Sequence, residues 1–196
     1  MTPREINNYF GDMDIFLMDL ILKGKIPLDG KVLDAGCGEG RNGIYFINKR
    51  YEYIGVDPDK SKIGLLEFLS KGSKASFFIE DIQSFANRNE IFDLIICSRV
   101  LHFASSTDHF YEIWNALVSM TNGNGIIYIS MDSIIDTDMG ELKENGQVLF
   151  PDGEIRFAIT PKIYKKIKKG FDEIESLKTL IAHDKRAQSF IALRKI

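Results

Sequence analysis

The segment Val32-Leu33-Asp34-Ala35-Gly36-Cys37-Gly38-Glu39-Gly40 constrains this chain more than any other: an apolar run ends in an acidic residue and leads into glycines at alternate positions. Such a run reads as a buried strand, and the glycines after it make a tight strand-to-helix turn in which positive φ carries no steric penalty. Main-chain N–H groups in a turn of this kind can approach a ligand closely. Spacing and charge narrow the choice of ligand. Counted from Gly36, the dinucleotide fingerprint requires glycine where Arg41 stands. Asp34 and Glu39 flank the loop and would repel a pyrophosphate, so a zwitterionic or cationic ligand suits it better.

Around this loop, helical and strand-like segments alternate without repeats, low-complexity tracts or a linker, which predicts an α/β sheet with helices on both faces. Helices are expected at 4–10 and 14–23, before the first strand at 31–35. A helix at 42–49, strand at 53–56, helix at 60–71 and strand at 76–79 follow. A short helix at 83–88, strand at 92–97, helix at 108–120 and strand at 125–130 come next, with a turn at Asn122-Gly123-Asn124-Gly125. Phe150 to Phe157 reads as a hairpin around Asp152-Gly153. The segments 171–182 and 187–194 read as an antiparallel pair around His183-Asp184-Lys185-Arg186. At 196 residues the chain is expected to be one domain, residues 1–196, with a helical cap over 1–28 and a substrate-lid insertion over 131–170.

Asp-x-Gly-x-Gly-x-Gly at 34–40 resembles the first motif of the class I S-adenosylmethionine-dependent methyltransferases, and later segments fall in that family's order. The resemblance is firm over roughly 30–130 and looser at the ends. It implies a doubly wound, mostly parallel seven-stranded sheet with an antiparallel last strand, and S-adenosyl-L-methionine as cofactor. Asp57 ends the second strand roughly 20 residues beyond the loop, where an acid accepts hydrogen bonds from ribose hydroxyls. Asp81, just past the third strand, is placed to accept the adenine amine, and the resemblance implies that the Ile82 N–H donates to the ring. Ser98 to Phe103 looks like the family's segment beside the methyl group. The cofactor set implied is therefore Asp34, Gly36, Cys37, Gly38, Gly40, Arg41, Asn42, Asp57, Pro58, Asp81, Ile82 and Ser98, with Arg41 at a helix start facing the methionine carboxylate. Gly40-Arg41-Asn42 and the final strand, Ser189 to Lys195, are similar to the subgroup that contains tellurite-resistance and other small-molecule methyltransferases.

Absences narrow the acceptor. The Asn- or Asp-Pro-Pro-aromatic segment of base-amino methyltransferases is replaced by Ser98-Arg99-Val100-Leu101. Ile96, not proline, precedes Cys97, and the double-acidic loop of protein-arginine enzymes is missing. A net charge of −3 gives no general attraction to nucleic acid or anionic membrane. The lysines at 162–169 read as the solvated face of a helix that starts at Thr160-Pro161. The histidines form no zinc set, and no metal is expected. Two cysteines, no basic-then-apolar start and no apolar run of spanning length lead us to expect a cytoplasmic protein, monomeric or homodimeric.

A small-molecule acceptor remains. Tyr9 and Phe10 are candidates to close over the methyl group, Arg99 and Arg156 to bind an anionic substrate, and Phe103 and Phe150 to form apolar walls. Methyl transfer from a sulfonium depends mostly on positioning, and a base matters only when the acceptor carries a proton. His102 is the base candidate, because imidazole titrates in the useful range. Two rival readings are a protein that binds S-adenosylmethionine or S-adenosylhomocysteine without turnover, and a nicotinamide-dependent reductase on the same type of sheet.

Overall fold

The structure, a computed structural model, describes residues 2–182 and 185–196; His183 and Asp184 of the expected C-terminal turn lie outside the described residues. Helices α1 (Pro3–Phe10) and α2 (Ile15–Leu22) precede β1 (Lys31–Ala35). Then come α3 (Ile44–Asn48), β2 (Glu52–Val56), α4 (Lys60–Leu69), β3 (Ser76–Phe78), α5 (Ile82–Ala86) and β4 (Phe92–Ser98). A 3-10 turn at Leu101–Phe103 leads to α6 (Thr107–Ser119) and β5 (Thr121–Asp132). The remainder is β6 (Glu141–Leu142), β7 (Gln147–Leu149), β8 (Ile155–Phe157), α7 (Pro161–Ile167), β9 (Phe171–Ala182) and β10 (Arg186–Lys195).

Seven strands form one sheet in the order β3-β2-β1-β4-β5-β10-β9, and β10, the last strand of the chain, runs antiparallel to both its neighbours. The apolar runs of the central strands divide between two cores. Leu33, Ile95 and Ile127 face Phe110, Ile113, Trp114 and Leu117 of α6, while Val32, Leu94 and Ile126 face Leu17 and Leu20 of α2 and Phe46 of α3. Burial on both faces is what parallel strands sandwiched by helices require. The chain reverses its winding between β1 and β4, and a crevice opens there at the strands' carboxyl ends.

Two expectations are corrected. The helix after the glycine loop starts at Ile44 rather than residue 42, because tight turns, with Gly40 N donating to Cys37 O and Gly43 N to Gly40 O, consume the intervening residues. The Asn122 to Gly125 turn is a bulge within β5: Thr121 pairs with Phe92, and Ile126 pairs with Leu94. The insertion after β5 contains the expected hairpin, with Leu149 opposite Ile155, in a three-stranded sheet β6-β7-β8. It is tied to the chain after β4 by Thr107 N donating to Asn145 O at 2.9 Å and by stacking of Phe157 on Phe110. Among the described residues, no helix is long and apolar enough to cross a membrane.

Candidate functional site

The crevice holds a cavity of about 620 Å³, within the range of small-molecule sites. Gly36 and Gly38 form its floor beside Val56, Asp57 and Pro58, with Asp81 and Ile82 at one end and Arg99, Val100 and Phe103 across from them. The two glycines serve different ends. At Gly36, φ is +79° and a Cβ would lie 2.3 Å from Val100 Cγ2, so this glycine lets β1 pack against the segment after β4. At Gly38, φ is +55° and a Cβ would meet no atom within 4 Å. The space a side chain would fill there is open to the cavity.

Three of the loop's N–H groups, expected to cradle the ligand, are already used. Gly36 N and Cys37 N donate to Val56 O at 2.7 and 3.0 Å, and Gly38 N donates to Asp57 Oδ2 at 2.9 Å. At Gly36 to Gly38 the loop thus offers bare clearance rather than free donors. Asp57 is held at both oxygens, since its Oδ1 accepts from Asp59 N at 2.9 Å, and each oxygen keeps a lone pair for a ligand hydroxyl. Asp81 caps α5 through Oδ1, which accepts from Ser84 N at 2.6 Å, and also lines the cavity.

Several residues of the expected cofactor set do not line this cavity. Asp34 is only 2% exposed, and its Oδ2 accepts from Tyr53 Oη at 2.8 Å beneath the loop. Burial raises its pKa to about 7 against the opposing pull of the Tyr53 hydrogen bond and of Arg41. Cys37 is buried, its thiol pushed up by burial, and Gly40 packs toward Leu66, so both support the loop from behind. Asn42 is buried and accepts from Asp14 N at 3.0 Å, fastening the helical cap to the sheet. Arg41 does not stand at a helix start; it donates to Ser98 Oγ at 3.2 Å and lies 3.7 Å from Asp14. Ser98 in turn bonds Ser130 Oγ at 2.8 Å.

On the acceptor side, Arg99 and Phe103 reach the cavity wall, and Phe103 is 75% exposed. Tyr9 and Phe10 instead pack on Tyr45 of α3, away from the cavity lining. Phe150 is buried in the small sheet with Val148 and Ala158. Arg156 lies over its ring and is spent on Asp152 at 2.5 Å and on Asp132, whose Oδ2 is 2.8 Å from Nε without hydrogen-bond geometry. At His102, burial lowers the pKa to about 4, and Arg186, Arg99 and Arg156 add to this against the pull of Asp132. The imidazole is therefore neutral at physiological pH and a weak base.

The sequence reading missed Asp132, Arg186 and His109. Asp132, fully buried at the end of β5, takes a fork from Arg186, with Nε and Nη2 at 2.6 and 3.2 Å. The bidentate pair spans two strands adjacent in the sheet but distant in the chain, and no local pattern announces it. His109 lines the cavity from the first turn of α6, with Nδ1 3.1 Å from Ser105 Oγ. Its place on the amphipathic α6 gave no sign of this.

Residues 32–125 match the family described as Methyltransferase domain. The 2-heptyl-1-hydroxyquinolin-4(1H)-one methyltransferase of Mycobacteroides abscessus is 32% identical over 89 residues, covering 44% of this chain and 38% of its own length. The chain thus spans less than half the length of this curated relative. Among solved structures, TehB from Haemophilus influenzae superposes with a TM-score of 0.70 at 23% identity, over 91% of this chain and 62% of that one. The 1,6-didemethyltoxoflavin-N1-methyltransferase of Burkholderia thailandensis, solved with 1,6-didemethyltoxoflavin and S-adenosylhomocysteine bound, gives 0.71 at 16% identity over 98% and 81%. Residues 32–125 thus match a methyltransferase domain, in a chain that shares its fold with these solved structures and opens a cavity at the switch point of its sheet.

Proposed function

We propose that this protein transfers a methyl group from S-adenosylmethionine to a small-molecule acceptor by in-line displacement. The observation that carries this reading is the juxtaposition, around one cavity, of bare Gly38, the doubly anchored Asp57 carboxylate and Asp81 with Ile82, facing Arg99 to Phe103. The residues fit the cofactor. An open position at Gly38 accommodates the chain of the methionine moiety, the free lone pairs of Asp57 accept ribose hydroxyls, and Asp81 with the Ile82 N–H suits an adenine edge. Asp57, Asp59, Glu80 and Asp81 also make this wall acidic, which favours a cationic guest.

When bound, the cofactor supplies a sulfonium methyl group with its leaving group built in. The chain's own part is to orient and to exclude water. Asp57 fixes the ribose end, and Val100, Phe103 and Ile113 give the far wall an apolar surface. A neutral His102 is suited to accept or donate a hydrogen bond rather than to take a proton outright. The test is incubation with methyl-labelled S-adenosylmethionine and a metabolite extract. Label in a small product supports transfer; saturable binding without transfer would favour a non-catalytic binder, and heat stabilisation by NAD but not by S-adenosylmethionine would favour a reductase.

A further inference from the structure

We infer that Arg99 anchors a planar oxyanion, such as a carboxylate, on the methyl acceptor. The inference rests on the function proposed above and names the substrate class for that site. Arg99 follows β4 with φ at +62°, unusual for a side chain of this size, and its N–H donates to Ser130 O at 2.7 Å. It stands in the cavity wall with Gly36 and Gly38, and its Nη2 reaches Gln188 beside the Arg186–Asp132 pair. Arg156 and Arg186 meet carboxylates, whereas Arg99 has none within ion-pair distance among the described residues.

Its nearest defined polar partner is neutral. The orientation of the Gln188 amide that satisfies its neighbours turns the oxygen toward Arg186 Nη2 at 3.2 Å and Arg99 Nη2 at 3.3 Å. Three guanidinium groups, Arg99, Arg156 and Arg186, thus stand against two carboxylates, Asp132 and Asp152. Burial and repulsion from Arg186 and Arg41 hold Arg99 below the usual arginine range, outweighing the pull of Asp132 and Asp14. Arg99 is exposed at the cavity wall with no protein carboxylate on its fork, and a planar oxyanion matches that fork bidentately. Buried His102 Nδ1, which also feels Asp132 and the same arginines, has no partner either. Exposed Phe103 beside Arg99 adds apolar surface for the acceptor's body.

The experiment passes a metabolite extract over an anion exchanger at neutral pH and assays each fraction with methyl-labelled S-adenosylmethionine. Label is expected from the retained fraction. With that acceptor, Arg99→Gln should raise KM about 10-fold or more, the loss typical of a hydrogen bond to a charged group, while affinity for S-adenosylhomocysteine changes little. Arg99→Lys, which keeps the charge and loses the fork, should fall between the two. Label only from the unretained fraction, or an unchanged KM in Arg99→Gln, would overturn the inference and leave methyl transfer standing. An equal loss of S-adenosylhomocysteine affinity would assign Arg99 to the cofactor instead and also overturn it. Absence of transfer from every fraction despite cofactor binding would remove the proposed function and this inference together.

Discussion

The two sides of the cavity are built on opposite principles. On the β1 to β3 side, Asp57, Asp59, Glu80 and Asp81 stand with Lys62 on an acidic wall, and the geometry comes from short stretches of chain that turn at glycine. On the other side Arg99 lines the cavity after β4, beside Arg156 and Arg186 that meet at buried Asp132, and the geometry comes from side chains reaching across the sheet and the insertion. A wall of carboxylates suits a cationic cofactor, and a cluster with excess guanidinium suits an anionic acceptor. The contrast also locates fragility: local turns hold the first side, and one buried carboxylate holds the second.

The sharpest way to break this contrast is Asp132→Ala. It would leave Arg156 and Arg186 without their common counter-charge, and removing one partner of a buried ion pair typically costs about 3–5 kcal/mol. Urea unfolding should show a loss of that order, concentrated in the insertion and β10. A change below about 1 kcal/mol would mean that Asp132 does not organise the acceptor side.

The acidic side has its own buried charge in Asp34, whose effect depends on pH. Its folded pKa, about 7, lies above the ordinary carboxylate value of 3.8, so the folded state holds the proton longer than the unfolded chain does. Stability from this group is fully present below about pH 4 and declines as pH rises toward 7, by up to ~4 kcal/mol at 1.36 kcal/mol per unit. Asp34→Asn keeps an acceptor for Tyr53 and cannot ionise. Its stability advantage over the parent should grow from pH 4 to 7 and level off above, as read by denaturant midpoints; an advantage constant with pH would show that Asp34 ionises freely.

Much of the first side was legible in the sequence because its signals are local. Alternate glycines, an acid at the end of each of two successive strands and the apolar runs between them depend on residues a few positions apart. The seven-stranded sheet with its antiparallel last strand followed from that pattern and from the family resemblance. What the sequence did not show is that three of the glycine-loop N–H groups are already paired within the protein. Here Val56 O and Asp57 Oδ2 consume those of Gly36, Cys37 and Gly38, a pairing visible only once β1 and β2 lie side by side. The second side was poorly legible for a related reason. Arg156 was named for its charge, yet Asp132 and Asp152 neutralise it, and the residue that shares Asp132, Arg186, lies 54 positions away in the chain. Likewise, His102 was chosen on its solution pKa, which burial among arginines removes.

A smaller effect separates the two glycines. Gly36→Ala should destabilise by about 2–4 kcal/mol, because left-handed strain adds to overpacking against Val100. Gly38→Ala, with strain alone, should cost about 1–2 kcal/mol yet weaken cofactor binding through the methyl group placed in the cavity. Equal stability losses in thermal melts would show that the loop yields as one unit.

The most direct test of the cofactor side is calorimetric titration of S-adenosylhomocysteine into the parent protein and Asp57→Ala. The account expects saturable 1:1 binding by the parent and an affinity about 10- to 100-fold lower in the variant, the loss expected for hydrogen bonds to a charged carboxylate. Absence of saturable binding by the parent, or equal affinity in the two proteins, would contradict it.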